Sequence, residues 1–280
     1  VMELRKQTDC GMMECKKAIE EADGDKEKAI TLLREKGLAT QAKKSGRAAA
    51  EGIVTAIVDG NVGVLLEVNT ETDFAANTDD IKNFVAAVAK TIIETNPADV
   101  EDLKTKTISG GTSTVGEVLT ELAGMKIREN IVIRRFERRE GVLASYIPNG
   151  GSIGVLVRME TNLSADQVAE VGKNVAMQSA AMNASYLNRE AVPAEVLENE
   201  KTIIMAQMAE DPKTASKSEQ VRAKIAEGKV GKYYSENCLL EQTFVRSDLF
   251  EGTVAKYVAD AAKKLGGTIE VVECLSLIHI

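Results

Sequence analysis

The chain has 280 residues, 44% of them hydrophobic, and this size predicts two or three domains with packed cores. Its formal net charge of −8 argues against a duplex-binding protein, because such a protein needs a basic footprint to displace counterions. The sequence has no apolar stretch long enough to span a membrane and no signal-peptide pattern, so we expect a cytoplasmic protein that binds neither nucleic acid nor membranes.

Several kinds of active site are excluded by residue types that the sequence lacks. It has no Trp, and its only histidine, His279, leaves no Ser/His or Cys/His nucleophile pair and no histidine metal cluster. The four cysteines, Cys10, Cys15, Cys238 and Cys274, form no CxxC pair and are typical of reduced, buried thiols rather than of a zinc site. A GxxxxGK[ST] loop is absent too, so we expect no cofactor, no metal and no direct nucleotide binding.

The first 37 residues carry three predicted helices. Residues 12–22 and 26–36 each place their apolar positions on one helical face, and we expect Gly37 to end the second of these segments. The inward positions are Met12, Cys15, Ile19, Ala22, Ala29, Ile30 and Leu33. Met12 and Met13 are adjacent and cannot both face the core, so we expect one of them to be exposed or partly exposed, where soft methionine suits a binding surface. For the other, filling the core is at least as good an interpretation. Residues 1–39 thus predict a helical domain, and the polar stretch 40–51 predicts a solvated linker.

From Gly52 onward the apolar pattern changes to alternation, which predicts strands. Residues 53–58 and 62–68 flank the turn Asp59-Gly60-Asn61 and predict a β-hairpin. An amphipathic helix that packs on this hairpin is predicted by the spacing of Ile81, Phe84, Val85, Val88 and Ile92.

A further helix and strand complete this first region. Thr114 caps a predicted helix that runs through Leu122, and residues 127–139 predict a strand. Four arginines lie in or next to this strand, at 134, 135, 138 and 139, but glutamates interleave them and no aromatic platform accompanies them. This pattern favours a charged sheet face over an RNA-binding surface.

Between the hairpin and its helix lies Thr72-Asp73-Phe74, which we call the Phe74 corner. Thr72 predicts a helix N-cap, and Asp73 would place its negative charge in the first helical turn, so that Phe74 lies at an exposed corner. One interpretation is that Phe74 begins the apolar stripe of the next helix or staples its entry. The other is that Phe74 is a rigidly mounted wedge for a partner protein, since aromatic anchors dominate interface energies.

The second half of the chain repeats the hairpin-plus-helix pattern. Residues 141–147 and 153–159 flank a turn at 148–151, and a helix follows with Val168, Val171, Val175 and Met182 along it. Where the first copy has the Phe74 corner, the second has Leu163-Ser164-Ala165. A duplicated unit would be expected to keep an aromatic residue that is structural, so this difference favours a functional role for Phe74.

The remaining segments are a polar insertion and a final helix and strand. Residues 193–237 predict an antiparallel helical hairpin, broken midway at Asp211-Pro212, with too few apolar positions for a core element. Residues 238–245 predict an extended segment, 268–273 a last strand, and 253–265 a helix with Val254, Val258, Ala261 and Leu265 inward. The closing residues 275–280, LSLIHI, match one reading frame of a common sequencing adapter, so we predict a non-native tail and give His279 no weight.

Together these elements predict an α+β fold with antiparallel sheets. Its two-part core would comprise residues 52–140 and 141–274, with the helical hairpin 193–237 inserted into the second part.

Several segments, in this order along the chain, resemble the bacterial elongation factor Ts family. They are Leu4-Arg5, Thr8, Gly11-Met12-Met13-Glu14-Cys15-Lys16-Lys17-Ala18, Glu67-Val68-Asn69, Glu71-Thr72-Asp73-Phe74, Glu129-Asn130-Ile131 and Cys238-Leu239-Leu240-Glu241-Gln242. The resemblance covers the chain from residue 2 to about 274. The departures from the family pattern are Asp9-Cys10 for Gly-Ala, Ala75 for Val, Arg128 for a common Gly, and Pro148-Asn149 where a His is common.

The resemblance implies a guanine nucleotide exchange factor for elongation factor Tu, a translational GTPase, and not an enzyme of covalent chemistry. It implies an N-terminal ubiquitin-associated-like (UBA-like) module that grips the GTPase domain, a two-part α+β core and a projecting coiled-coil hairpin. Asp73 and Phe74 would form the wedge near the Mg²⁺ and phosphate site of the partner. Arg5, Met12 and Met13 would grip a helix of the GTPase domain, and Ile127 would support the wedge region.

Two other functions stay open at this point. A scaffold or helper subunit would bind the same partner without accelerating nucleotide exchange, and nucleotide-release kinetics would distinguish it. An enzyme with a carboxylate pair, such as Glu67 with Asp73, is the third hypothesis, but no pattern orients such a pair on a cavity.

Overall fold

The computed structural model describes residues 1–8, 10–148 and 151–278, and for 41 and 42 the backbone only. It is a mixed α+β structure, as predicted, with helices and two three-stranded sheets. The chain forms two compact units. The first comprises Val1–Glu140 with two short later segments, and the second comprises Gly141–Tyr146 and Val155–Ser276.

Three helices open the first unit: α1 (Met2–Thr8), α2 (Met12–Glu21) and α3 (Lys26–Lys44). The prediction that Gly37 ends a helix is wrong, since α3 continues for another seven residues through part of the predicted linker. Gly37 lies at a close backbone contact: a Cβ on Gly124 would come within 2.5 Å of the Gly37 carbonyl oxygen. The glycine therefore serves packing here and not chain termination.

The core of these helices includes one residue from far along the chain. Its buried members are Leu4, Cys10, Cys15, Ala18, Ala22, Ala29, Leu33 and Met125. Since Met125 is part of this core, the core of these helices extends beyond the predicted domain of residues 1–39. Met12 and Met13 are 40% and 64% exposed, so the interpretation that one of them fills the core is wrong.

The first sheet has the order β1-β2-β3, with β1 (Glu51–Asp59), β2 (Val62–Thr70) and β3 (Val132–Glu140) all antiparallel. The hairpin of β1 and β2 is confirmed, with Gly60 in its turn at a φ of 58° that favours glycine. Helix α5 (Asp79–Thr95) contacts both strands of the hairpin, and its five predicted apolar positions are all buried.

Short helices connect α5 to β3. They are α6 (Val100–Thr105), α7 (Val115–Glu121) and a π-helical segment, Leu122–Lys126; a one-turn helix, α4 (Asp73–Ala76), precedes α5. The predicted strand 127–139 is wrong at its start, because Arg128 has a left-handed φ of 62° and the strand begins only at Val132. On β3, Arg138 pairs with Glu140 and Arg139 with Glu137, as expected for a charged sheet face.

The second unit repeats the arrangement of sheet and helix. Its sheet has the order β4-β5-β6, with β4 (Val142–Tyr146), most residues of β5 (Ile153–Thr161) and most residues of β6 (Ile269–Ile278). Helix α8 (Ala165–Met182) contacts β4, and the side chain of Ser164 caps it. Val168, Val171 and Val175 are buried as predicted, but Met182 at the end of the helix is 47% exposed. The repeated hairpin-plus-helix pattern is thus confirmed.

The insertion in the second unit is helical, as predicted. It contains α9 (Ala194–Glu210), α10 (Pro212–Ala215) and α11 (Glu219–Asn237), and α9 packs on α11.

The segments after the insertion differ from the predictions at three points. The predicted extended segment 238–245 is wrong, since Leu239–Glu241 is a 3₁₀ helix. In α12 (Val254–Leu265), Tyr257 and Ala262 are buried, whereas Leu265 is exposed. The last strand is longer than predicted and ends at Ile278, and His279 lies outside the described residues.

Candidate functional site: an exposed aromatic corner

The Phe74 corner presents its aromatic ring to solvent. Phe74 is 82% exposed, whereas its neighbours Ala75 and Ala76 are 5% and 3% exposed. The interpretation that Phe74 begins the buried stripe of the next helix is therefore wrong, because the two alanines take the inward positions. A large exposed aromatic side chain contributes almost nothing to its own fold and is available to another molecule.

Local hydrogen bonds fix the backbone on both sides of Phe74. The Thr72 side chain caps α4 as predicted, with Oγ1 accepting from the backbone N–H of Ala75 at 3.2 Å. Asp73 Oδ1 accepts from the backbone N–H of Phe74 at 2.9 Å. Thr78 then caps α5 and also donates to the carbonyl of Ala75 at 2.8 Å. The Phe74 ring is thus carried on the short, capped helix α4, which leads directly into the capped helix α5.

A segment nearly sixty residues further along the chain holds the same corner from the other side. Glu129 accepts two hydrogen bonds from Thr72, at 3.0 Å from the backbone N–H and at 2.7 Å from Oγ1. Glu71 accepts from the backbone N–H of Asn130 at 2.7 Å. Sequence reasoning gave Glu71, Glu129 and Asn130 no role, although all three belong to the segments that carry the family resemblance, and no local pattern indicates that they meet.

The end of α3 joins this network. Buried Asn130 donates to the carbonyl of Arg47 at 2.7 Å, and Arg47 pairs with Glu71 at 3.5 Å. The Lys44 ammonium donates to the carbonyl of Arg128. Burial lowers the pKa of Lys44, and the nearby guanidinium of Arg47 lowers it further. The predicted linker thus contributes hydrogen bonds and charges behind the Phe74 corner.

The residues expected to grip the partner lie on the N-terminal helices. Arg5 on α1 is exposed, as are Met12 and Met13 at the start of α2. Next to them, Glu14 forms a salt bridge with Arg128, in which 2.5 Å separates the carboxylate Oε2 from the guanidinium Nη2. Arg128 thus reaches α2, while its neighbour Glu129 reaches Thr72, so adjacent residues join the two parts of the expected surface.

Ile127 lies just before this pair. It is partly buried against the core of the first sheet, and its backbone N–H donates to the carbonyl of Leu122 at 2.8 Å. All seven predicted site residues belong to the first unit.

The proposed carboxylate pair for acid–base chemistry has another explanation. Glu67 is 1% exposed and accepts from Arg135 Nε at 2.7 Å and from Asn69 Nδ2 at 3.3 Å. Asp73 is exposed and bonds the start of α4. Glu67 is thus held in a buried structural network and is not accessible as a general acid or base.

Two structural findings concern other kinds of site. Among the residues that the structure describes, no group of three or more His, Cys, Asp or Glu side chains could hold a metal ion. In the same part of the chain, no helix has both the length and the apolar character that a membrane span needs.

Residues 71–275, which begin at the Phe74 corner, match the family model described as Elongation factor TS. The chain belongs to the elongation factor Ts family. A protein named Elongation factor Ts from Clostridium kluyveri is 46% identical over 278 residues, which cover 97% of this chain and 88% of that protein. Proteins of the same name from Syntrophotalea carbinolica and Clostridioides difficile are each 45% identical and cover 96% and 98% of this chain and 88% and 89% of their own lengths.

The departures from the elongation factor Ts pattern now have structural contexts. The left-handed backbone of Arg128 accounts for the glycine that is common there, because glycine adopts this conformation without strain. Cys10 is buried, with its Sγ 3.4 Å from the Met125 sulfur, and Ala75 lies on the buried side of α4. Asp9 and Asn149 lie outside the described residues.

Proposed function

We propose that the chain accelerates GDP release from elongation factor Tu by inserting Phe74 as a rigid wedge. Membership of the elongation factor Ts family gives the chain elongation factor Tu as its partner and guanine nucleotide exchange in translation elongation as its role. The observation that carries the wedge is the pairing of 82% exposure at Phe74 with a hydrogen-bonded backbone beneath it.

Phe74 can supply enough free energy to disturb a nucleotide site. Burying a phenylalanine side chain in a partner contributes about 2 kcal/mol, since the exposed ring loses its contact with water. If the backbone that carries Phe74 were flexible, part of this free energy would be spent on ordering it when the partner binds. The hydrogen-bonded Phe74 corner is already ordered. The free energy is therefore available to displace side chains of the partner.

The nucleotide site of a GTPase is sensitive to small displacements. Mg²⁺ and the phosphates are held by closely spaced opposite charges, so a shift of the surrounding groups strongly weakens the binding of GDP. By linkage, GDP must weaken the binding of this chain by the same factor, and GTP rebinding then releases the chain. This cycle requires no covalent step, and we propose that the chain itself holds no cofactor, nucleotide or metal.

Around the wedge we assign roles to the other predicted residues. Asp73 fixes the backbone N–H of Phe74, and Thr72 caps the helix that carries it. Arg5, Met12 and Met13 form the grip on the GTPase domain, where exposed methionines adapt to the surface they meet. Ile127 supports the segment that bears Arg128 and Glu129. We also propose a UBA-like N-terminal module, a coiled-coil pairing of α9 with α11, a cytoplasmic location and no binding to nucleic acid or membranes.

Stopped-flow release of a fluorescent GDP analogue from elongation factor Tu tests this proposal. We expect Phe74→Ala to lower the maximal release rate at least tenfold while leaving the unfolding midpoint unchanged, because the ring is exposed. Leu38→Ala is the matched control, since Leu38 is also an exposed apolar residue of the first unit, at 56% exposure. It should leave release at the wild-type rate.

The same experiment separates the exchange factor from a scaffold that only binds. Wild-type chain that binds elongation factor Tu but leaves GDP release unchanged would contradict the exchange role. Wild-type acceleration that Phe74→Ala retains in full would contradict the wedge.

A further inference from the structure

Glu129 accepts two hydrogen bonds from Thr72, the residue that caps α4. Its two carboxylate oxygens accept from the same residue, Oε2 from the Thr72 backbone N–H at 3.0 Å and Oε1 from the Thr72 hydroxyl at 2.7 Å. Hydrogen bonds to an ionised carboxylate are stronger than those between neutral groups. One side chain thus fixes both the backbone and the rotamer of Thr72, two residues before Phe74.

The second of these bonds also sets the cap itself. A hydroxyl has one hydrogen to donate and two lone pairs that accept. Because the Thr72 hydrogen goes to Glu129, the lone pairs of Oγ1 are left to accept from the Ala75 N–H at 3.2 Å. The hydrogen bonds therefore run in series from α4 through Thr72 to Glu129. Removing the carboxylate frees the hydroxyl to rotate and loosens the turn that carries the ring.

We propose that Glu129 is a positioning residue for exchange: it holds Thr72 so that the Phe74 ring is presented in one orientation. This inference rests on the proposed wedge function and adds a residue that acts through Thr72 rather than by touching the nucleotide site. A separate hydrogen bond connects the same two segments: the backbone N–H of Asn130 donates to the Glu71 carboxylate at 2.7 Å. The chain can therefore keep its fold when the bonds from Glu129 are removed.

The test measures GDP-analogue release as a function of chain concentration, which separates the maximal rate from the half-saturating concentration. We expect Glu129→Ala to lower the maximal rate about tenfold, equivalent to about 1.4 kcal/mol, with a change of less than about threefold in the half-saturating concentration. Glu129→Gln should recover part of the rate, since its carbonyl can still accept from the Thr72 N–H.

Glu117→Ala is the matched control for the loss of a capping carboxylate. Glu117 accepts from the Thr114 backbone N–H at 2.7 Å at the start of α7, which is the same kind of bond in the same unit. This variant should exchange at the wild-type rate. If Glu129→Ala fails to fold, Glu129→Gln alone carries the test, because glutamine keeps the shape and one accepting oxygen but removes the charge, and its maximal rate should lie below that of wild type.

A double variant shows whether Glu129 acts through the ring. In a Phe74→Ala background, Glu129→Ala should lower the maximal rate no further. Equal tenfold losses in both backgrounds, or a wild-type rate for Glu129→Ala alone, would overturn the positioning role. A wild-type rate for Phe74→Ala would instead overturn the wedge, so the two failures are distinguishable.

Discussion

The contact between Gly124 and Gly37 gives the sharpest prediction about how the N-terminal helices are held. A Cβ on Gly124 would lie 2.5 Å from the carbonyl oxygen of Gly37 and 2.8 Å from its carbonyl carbon and Cα. All three atoms belong to backbone, so the strain of Gly124→Ala cannot be relieved by turning a side chain. Overpacking of this kind costs about 1–3 kcal/mol, and we expect a loss of at least 2 kcal/mol in the free energy of unfolding.

Gly37→Ala is the matched control on the other side of the contact. Its Cβ would meet Met125 Cγ at 3.2 Å and Sδ at 3.5 Å, which belong to a flexible side chain. The substitution also replaces glycine in the interior of α3, which favours the helix by up to about 1 kcal/mol. We therefore expect Gly37→Ala to lie within about 1 kcal/mol of wild type.

Urea unfolding followed by circular dichroism measures both variants. Equal stability of Gly124→Ala and Gly37→Ala would refute the reasoning, because only the first substitution places an atom against backbone. In the exchange assay, Gly124→Ala should raise the half-saturating concentration, since it shifts the helices that carry the two exposed methionines.

Three further predictions concern single features. Arg128→Gly should keep the free energy of unfolding within about 1 kcal/mol of wild type or raise it, because the relief of a left-handed backbone offsets the loss of an exposed ion pair with Glu14 and of the hydrogen bond from Arg128 Nε to the Met125 carbonyl. A larger loss in urea unfolding would contradict this. Burial raises the pKa of the Cys238 thiol to about 11, whereas the thiol of the unfolded chain ionises near pH 8.5. The stability that the neutral thiol contributes is therefore complete below about pH 8.5 and is lost as the pH rises through 11. The difference in unfolding free energy between wild type and Cys238→Ala should therefore shrink between pH 8 and about 10.5, and parallel curves would exclude the shift. The double substitution of Met12 and Met13 by Ala should weaken binding to elongation factor Tu about tenfold in calorimetric titration without lowering the unfolding midpoint, since both side chains are exposed, and unchanged affinity would remove them from the grip.

Elements with a strong local pattern could be predicted from the sequence. The alternating residues around Gly60 predicted the β1–β2 hairpin, and the helical spacing of Ile81 and Ile92 predicted the buried face of α5. The helix caps at Thr72 and Thr114 could be predicted too, because capping depends on residues within one helical turn. In these places local preference and tertiary packing agree.

The predictions failed where a distant contact decides the structure. Gly37 looked like a helix end, but its contact with Gly124 explains the glycine inside α3. The strand predicted from residue 127 begins late, because Arg128 adopts a left-handed turn. The two hydrogen bonds that Thr72 donates to Glu129 join residues that no periodic pattern connects. The local caps placed Phe74 at an exposed corner, but its role was undecided by that pattern, and only the missing aromatic in the second copy favoured a functional role.

The central claim is that Phe74 couples the binding of this chain to the loss of GDP, and two affinities measure that coupling directly. Calorimetric titration would give the affinity of the chain for elongation factor Tu with and without bound GDP, for wild type and for Phe74→Ala. We predict that wild type binds the nucleotide-free partner at least about tenfold more tightly and that Phe74→Ala abolishes most of this ratio. If Phe74→Ala instead weakens both affinities equally and keeps the ratio, Phe74 is an anchor rather than a wedge.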